Sequence, residues 1–431
     1  MSNLTDKASQ ATTTSSTITS PETTGLLDRS DVRVSYTNNF GDAIHAFIDR
    51  VKSGDLGSLP VVVGLVLIWG IFTAINPLFL SANNLVNLLF DCSTVGVIAL
   101  GIVCVLLLGE IDLSIGSMSG VGSAMLGVLW ANEGWPIALV IGGSLCVGAI
   151  IGFSYAFVRT KFGMPSFVST LAGLLALLGF QLYILGDTGS INLPYDSALV
   201  SFGQLMIIPA WLSYCLVLLP GIVVVVMGLR VRHKRQSVNL SAKSVNGIVF
   251  KALVLTVVLE AIVAYLNQSR GVPWMFGLFV VLVICMNYAL TRTKWGRSMF
   301  AVGGNAEAAR RAGINVKAIY ISAFVTCSTL ATLGGILAAA RLASASQQAG
   351  TGDVNLNAIA AAVIGGTSLF GGRGSAWSAL LGIVVIQSIA NGLTLLNLSS
   401  AHRYMITGAV LAIAVIVDSL ARQSRVTHGK A

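Results

Sequence analysis

Charge is what this chain has least of. Asp, Glu, Lys and Arg make up 10% of its 431 residues, where a soluble domain carries about 25%. So little charge cannot clothe a globule of this length in water, which excludes an ordinary soluble fold. Cysteine is sparse as well. The six, at 92, 104, 146, 215, 285 and 327, lie in or beside apolar runs, and none forms a C-x-x-C pair. That excludes a disulfide framework and a thiolate metal site, and leaves them as small core residues. There are four histidines, no H-E-x-x-H and no G-x-S-x-G, so neither zinc-hydrolase nor serine-hydrolase chemistry has a carrier. No metal site is expected. The nearest approach to a phosphate loop is "GTSLFGGRGS" (366–375). A P-loop needs Lys directly after its second glycine. Here Gly371 is followed by Gly372 and Arg373. Any ATP this protein uses is therefore bound by another chain.

What the chain has instead is apolar surface. Hydrophobic residues are 55% of it and the mean hydropathy is +0.83. A membrane span needs roughly 20 mostly apolar residues. Twelve segments qualify: Leu59–Leu80, Asn84–Leu108, Leu113–Trp130, Pro136–Val158, Ser166–Leu185, Leu205–Leu229, Asn246–Leu266, Pro273–Leu290, Ala318–Ala340, Ala358–Leu369, Trp377–Leu396 and Tyr404–Leu420. The tenth is short. The expected fold is all-α: a polytopic transmembrane bundle of about 10–12 spans, with re-entrant or broken helices and two pseudo-repeated halves. Residues 56–421 form the transmembrane domain. Residues 1–55, Ser/Thr-rich at the start, read as a disordered or amphipathic cytoplasmic tail, and 422–431 as a cytoplasmic C-terminal tail.

The net charge of +9 does not point to nucleic acid, because its placement follows topology. With the N-terminus inside and each segment crossing once, three of the 26 Lys and Arg residues (Arg270, Arg341, Arg403) fall outside and Lys251 lies within a span, leaving 22 inside. That is the positive-inside asymmetry. The basic loop expected at 230–245 begins "RVRHKRQ" and can also meet anionic lipid.

Three stretches carry the chemistry. "GEIDLSIGS" (109–117) sets Glu110 and Asp112 between two apolar runs. Either Asp112 caps the next helix by accepting its free amides, or the small residues that follow mark a helix broken in mid-membrane, as at transporter sites. "TGDVNLNAIAAAVIGGTSLFGG" (351–372) repeats the theme with Asp353, Asn355 and Asn357 before a Gly/Ala-rich run. "RTKFG" (159–163) and "RTKWG" (292–296) form a weak internal near-repeat. "GGNAEAARRAGINVKAIY" (303–320) specifies a short polar helix. Asn305 is an N-cap, Glu307 sits in the first turn, Arg310 and Arg311 in the last, and Gly313 stops it. Such a helix in a short loop suits a docking surface.

Together with "GMPSFVSTLAGLLALLGF" (163–180) and "AIAAAVIGGTSLFGGRGS" (358–375), these motifs resemble the bacterial ABC sugar permeases of the ribose, arabinose and xylose group, over roughly Leu59 to Leu420. The long N-terminal tail and the extra pair of spans around 230–243 look like the xylose type. The resemblance implies a non-enzymatic transport subunit in the bacterial cytoplasmic membrane with both termini inside. It implies a second permease chain, an ABC ATPase holding ATP and Mg, and a periplasmic or lipid-anchored sugar-binding protein. This chain itself would bind no cofactor. The binding protein would dock near Asp187–Ser201 and Arg341–Asp353. Matched residue by residue, the loop 303–316, with Asn305, Glu307, Ala308, Arg310, Arg311 and Gly313, falls on the ATPase-coupling element. Gly109, Asp112, Ser114, Gly116 and Ser117 fall on one pathway signature, and Gly365, Gly366, Thr367 and Ser368 on another. Asp112 is then expected to organise a broken helix beside the pathway rather than to clamp sugar.

Two departures stand out. Position 110, often Gly in the group, is Glu here, and Val354, Asn355 and Asn357 replace an acid and an aromatic. Gln181, Tyr183 and Asn287 are candidate substrate contacts. A permease for branched-chain amino acids is the nearest alternative. An ion-coupled secondary transporter is a further one, with Glu260 and Asp112 as the acids it would need.

Overall fold

Helix boundaries follow the punctuation of the sequence, and the computed structural model describes residues 59–186, 189–399, 401–402, 405–409, 412 and 416. α1 (Leu59–Ile75) stops before Pro77, and Asn76 caps a single 3-10 turn by accepting from Leu78 N at 3.0 Å. Ser81 caps α2 (Ala82–Leu107), accepting from Asn84 N. A non-helical stretch leads to α3 (Ile115–Met125), which runs on as a π-helical segment, Leu126–Asn132. α4 (Ile137–Phe162) carries Arg159 and Lys161 in its last turn and ends at Gly163, whose φ of 68° needs a residue without Cβ. α5 (Ser166–Leu185) follows, then strand β1 (Ser190–Asn192) and α6 (Ala198–Gln204). α7 (Ala210–Gln236) and α8 (Val245–Leu266) form a hairpin. α9 (Trp274–Arg292), α10 (Lys294–Gly304) and α11 (Ala306–Arg311) lead into α12 (Val316–Leu342). Strand β2 (Ser344–Ser346), α13 (Val354–Ile364) and α14 (Ala376–Leu395) complete the named elements.

Among the described residues, eight helices are long and apolar enough to cross a membrane: α2, α4, α5, α7, α8, α9, α12 and α14. The all-α polytopic bundle is thus observed, and the chain is a multi-pass membrane protein. Burial sorts the spans. The most apolar stretch of α2 is 89% buried, against 11% for α7 and 17% for α8. The α7–α8 hairpin is an exposed annex, and α2 with its antiparallel partner α12 is the core. Close approach is secured by glycine, the usual device where lipid supplies no hydrophobic drive between helices. A Cβ on Gly334 would lie 2.4 Å from Ile98, and one on Gly335 only 1.8 Å from Ser119 O.

The two halves exchange their broken helices. α3 packs on α12, α13 on α2, α4 on α12 and α14 on α2. Strands β1 and β2 pair antiparallel, with Ile191 opposite Ala345. α3 starts inside the bundle. Its Ser119 meets Gly335, whose neighbour Gly334 faces Thr94, midway along α2. α13 is the matching piece, reached from the other side by the 343–353 connection. The residues that open the two helices, Ser114 and Asp353, share one backbone conformation, φ −92° ψ −3° and φ −91° ψ −4°.

Several expectations shift. The tenth segment, expected at Ala358–Leu369, is helical over Val354–Ile364 and breaks at Gly366, whose φ is 106°. α7 continues through the basic run to Gln236. Lys and Arg are good helix formers and suit a helix C-terminus, so only 237–244 remain as loop. Cys92, Cys104 and Cys327 are core residues as expected, but Cys146, Cys215 and Cys285 are exposed on outer helix faces. A helix apolar all round gives no periodicity from which to read its inner side. The tails, 1–55 and 422–431, lie outside the described residues. Of Tyr404–Leu420, residues 405–409, 412 and 416 are described, and all are helical.

Candidate transport and coupling site

The start of α3 gathers several buried polar residues. Asp112 is fully buried, with Ser114 and Ser117 at 1% exposure. Asp112 does not cap the first turn of α3. Its Oδ1 accepts from Ser114 N (2.8 Å) and Ser114 Oγ (2.7 Å), closing a local turn one step before the helix. Leu113 N donates to Thr170 Oγ1 of α5 at 3.1 Å. The cap of α3 comes from the other half: Gly116 N donates to Asn355 Oδ1 in the first turn of α13. Two helix starts therefore meet at depth, joined side chain to backbone. Asn357 turns the other way, donating its Nδ2 to Asp353 Oδ2 at 2.9 Å.

The glycines here make room for chain, not for ligand. A Cβ at Gly116 would lie 2.4 Å from Gly350 O, and one at Gly120 would lie 2.2 Å from Gln181 Oε1. Gln181 is itself committed. Its Nε2 reaches the carbonyls of Ser346 (3.0 Å) and Ala349 (3.0 Å), and it is fully buried. Its role in the structure is to anchor the 344–350 connection beside α3. Tyr183 points away from the bundle at 83% exposure, and Asn287 is half-buried on α9. The three candidate substrate contacts are not brought together.

Glu110 explains its departure from glycine. Arg159 donates to it through Nε (2.9 Å) and Nη2 (2.8 Å), and Ser166 Oγ donates to its other oxygen. The Arg159 guanidinium also lies 5.2 Å over the Tyr320 ring. One carboxylate thus ties the α2–α3 connection to the end of α4 and the start of α5, with the start of α12 packed against the arginine.

At this same basic end the two glycine signatures converge. Gly109, with φ 74°, lies against Phe370 O, and a Cβ on Gly371 would come within 2.8 Å of both Gly109 N and Gly303 O. Gly372 N donates to Leu107 O at 2.9 Å. Thr367 is buried beside Gly374, Gly365 packs on Ser378 of α14, and Ser368 N bonds Arg373 O at 3.0 Å. α10 sits directly on this junction, since Gly303 has room for no side chain against Leu107 O. Trp295 Nε1 also bonds Ser322 Oγ of α12 at 2.7 Å.

α11 projects from the junction. Asn305 Oδ1 accepts from Ala308 N at 2.9 Å, and Gly313 turns the chain with φ 82°. Ala309 packs inward, while Arg310 and Arg311 are 70% and 80% exposed. Both pair with Glu307, at 2.9 and 3.2 Å. Their hydrogen bonds hold its carboxyl below the usual carboxylate range.

Sequence reasoning passed over one pair. Asp91, inside α2, accepts from Arg341 Nε at 2.9 Å at the opposite end of the bundle. The Arg341 guanidinium lies 4.9 Å over Phe90. Arg270 faces the same ring at 5.9 Å, bonds Asn87 Oδ1, and has its pKa lowered by burial and by the charge of Arg341. Glu260 and Asp112 are therefore not the only acids at span depth. Asp91 is a third, and it is ion-paired.

Residues 84–415 match the family described as Branched-chain amino acid transport system / permease component. The chain belongs to this permease family. It is 33% identical to the xylose transport system permease protein of Escherichia coli strain K12, over 86% of this chain and 94% of that one. The xylose permease of Haemophilus influenzae is 32% identical over 86% and 98% of the two chains. The ribose import permease of E. coli K12 is 29% identical over 83% and 92%. No solved structure matches this permease.

Proposed function

We propose that this permease is the membrane subunit of an ABC importer for a monosaccharide, xylose or a related pentose or hexose. The observation that carries the mechanism is the seating of α10 and α11. The end of α10 stands on the point where Leu107, Gly109 and Gly371–Gly372 meet, and the exposed, capped α11 follows it directly. A partner pressing on Arg310, Arg311 and Asn305 moves that junction, and through it the two helix starts at Gly116 and Asn355. The partner supplies ATP and Mg, since this chain carries no phosphate loop. A second copy of the chain completes the pathway, and a soluble sugar-binding protein delivers substrate to the far end. The basic end is cytoplasmic, in the inner membrane, by the positive-inside asymmetry.

The sugar reading rests on relatives named for xylose and ribose. The branched-chain amino acid reading is kept by the description of the matched family. Affinity purification in mild detergent tests the first part: an ATPase with a P-loop co-purifies with the wild-type chain and not with the Arg310→Glu/Arg311→Glu variant. Uptake competition tests the second. Excess xylose or ribose displaces the labelled substrate and leucine does not. Transport in ATP-free liposomes holding only this chain would overturn the ABC reading.

A further inference from the structure

At the end opposite the basic one, α2, α12 and α14 form a half-open cavity of about 290 Å³ lined by Asp91, Thr94, Arg341, Gln387, Asn391 and Thr394, with Ala338, Leu342 and Ala390 between them. Nothing in the two glycine signatures or the coupling helix accounts for it. We propose that this cavity binds a neutral polyhydroxylated ligand of monosaccharide size; the assignment rests on the sugar-importer reading above and gives that reading its contact residues.

Size is the first argument. Pockets for drug-sized ligands hold about 300–1,000 Å³, so this one suits a small ligand. Chemistry is the second. A carboxylate, a guanidinium, two amides and two hydroxyls bring donors and acceptors together in its lining. A sugar hydroxyl, both donor and acceptor, uses both kinds. Charge is the third. Asp91 and Arg341 neutralise each other, so an anion or a cation entering would have to break the pair. A hydroxyl can join it. The Asp91 carboxylate keeps room for that, with its side chain 41% exposed while only Oδ1 receives Arg341 Nε.

The wall is also held in place before any ligand arrives. Arg341 stacks over Phe90, and its backbone carbonyl accepts from Gln204 Nε2 at 3.0 Å. Gln387 Nε2 donates to Asp91 O at 3.3 Å. Asn391 and Asn84 exchange reciprocal amide bonds at 2.8 and 3.0 Å. Side chains fixed this way lose little entropy on binding.

The test uses the full chain in lipid nanodiscs, with exposed Cys146, Cys215 and Cys285 each changed to Ala and Thr394→Cys introduced. The rate of labelling by a hydrophilic maleimide is measured with D-xylose, D-ribose, L-arabinose, D-galactose or, as control, L-leucine. A bound sugar divides the rate by 1 + [L]/Kd, about threefold at twice Kd. At least one sugar is expected to give that slowing and leucine none. Gln387→Leu should abolish the slowing, measured against that variant's own sugar-free rate. No slowing by any sugar, or equal slowing by leucine, would overturn the assignment. ATP-driven uptake in cells separates the two claims. Sugar uptake without protection rejects the cavity alone. Protection without ATP-driven uptake keeps the cavity and rejects the importer reading.

Discussion

Asn355, in the first turn of α13, accepts the backbone N–H of Gly116 in the first turn of α3. Helix N-termini leave four amides without intrahelical partners, and in the interior of a membrane protein water is not there to take them. Removing a side-chain cap costs about 0.5–2 kcal/mol. Asn355→Leu should lower the melting temperature in detergent and abolish uptake. Asn355→Asp keeps the acceptor oxygen and should retain more of both. Equal loss in the two variants would mean that the bond at Gly116 is incidental.

Asp112 presents a different case, because one oxygen does the work seen here. An amide carbonyl can accept from Ser114 as the carboxylate does. Asp112→Asn should therefore fold and transport close to wild type, whereas Asp112→Leu leaves the Ser114 N–H and O–H buried without their acceptor, at about 1–3 kcal/mol for each. Membrane abundance and initial uptake rate check this. Loss of transport in the Asn variant at normal abundance would assign a role to the charge itself.

For Arg310 and Arg311, exposure predicts a separation of effects. Both pairs with Glu307 stand in solvent, where ion pairs contribute little, so Arg310→Gln/Arg311→Gln should leave thermal stability nearly unchanged. Transport and stimulation of the partner ATPase should fall together. Wild-type stimulation in that variant would remove α11 from the coupling route.

Gly303 and Gly304 are adjacent and predict opposite outcomes. A Cβ on Gly303 would lie 1.7 Å from Leu107 O, whereas nothing stands within 4 Å of one on Gly304. Gly303→Ala should disrupt the seat of α10 and abolish transport. Gly304→Ala should stay within about 0.5 kcal/mol of wild type. Comparable melting temperatures and uptake for the two would show that the junction yields.

The Glu110–Arg159 pair is mostly shielded, with side-chain exposures of 12% and 31%. Contacting residues couple by about 0.5–3 kcal/mol. Arg159→Met alone leaves a carboxylate without its cation and should destabilise more than Arg159→Met combined with Glu110→Gln. A double-mutant cycle on melting in nanodiscs measures the coupling, and purely additive effects would reduce the pair to a surface contact.

Much of this architecture could be read from residues alone. Long apolar runs declare spans, and the polar helix at 305–313 was specified by its own caps. The shared theme of Asp112 and Asp353 before small residues correctly marked two helix starts. Their joining was not legible, because Gly116 and Asn355 are 239 positions apart and neither signals a partner. Asp91 was hidden for a related reason. A single acid near the start of a span reads as part of a polar helix end, and its partner Arg341 lies 250 positions away. Gln181 reads as a polar residue in an apolar helix, but what its amide nitrogen reaches is the backbone of a distant connection. Periodicity also failed on principle, since lipid and protein interior are equally apolar.

The borrowed cap has a consequence for how the protein is made. Asn355 leaves the ribosome 239 residues after Gly116. At about 5–20 residues per second, the first half waits on the order of ten to fifty seconds with the start of α3 uncapped. Over that interval the nascent segment must be held by a chaperone or the insertion machinery, or fold back only when its other half arrives. Truncated chains ending before α13 are therefore expected to be cleared by quality-control proteases rather than to accumulate as a half-permease.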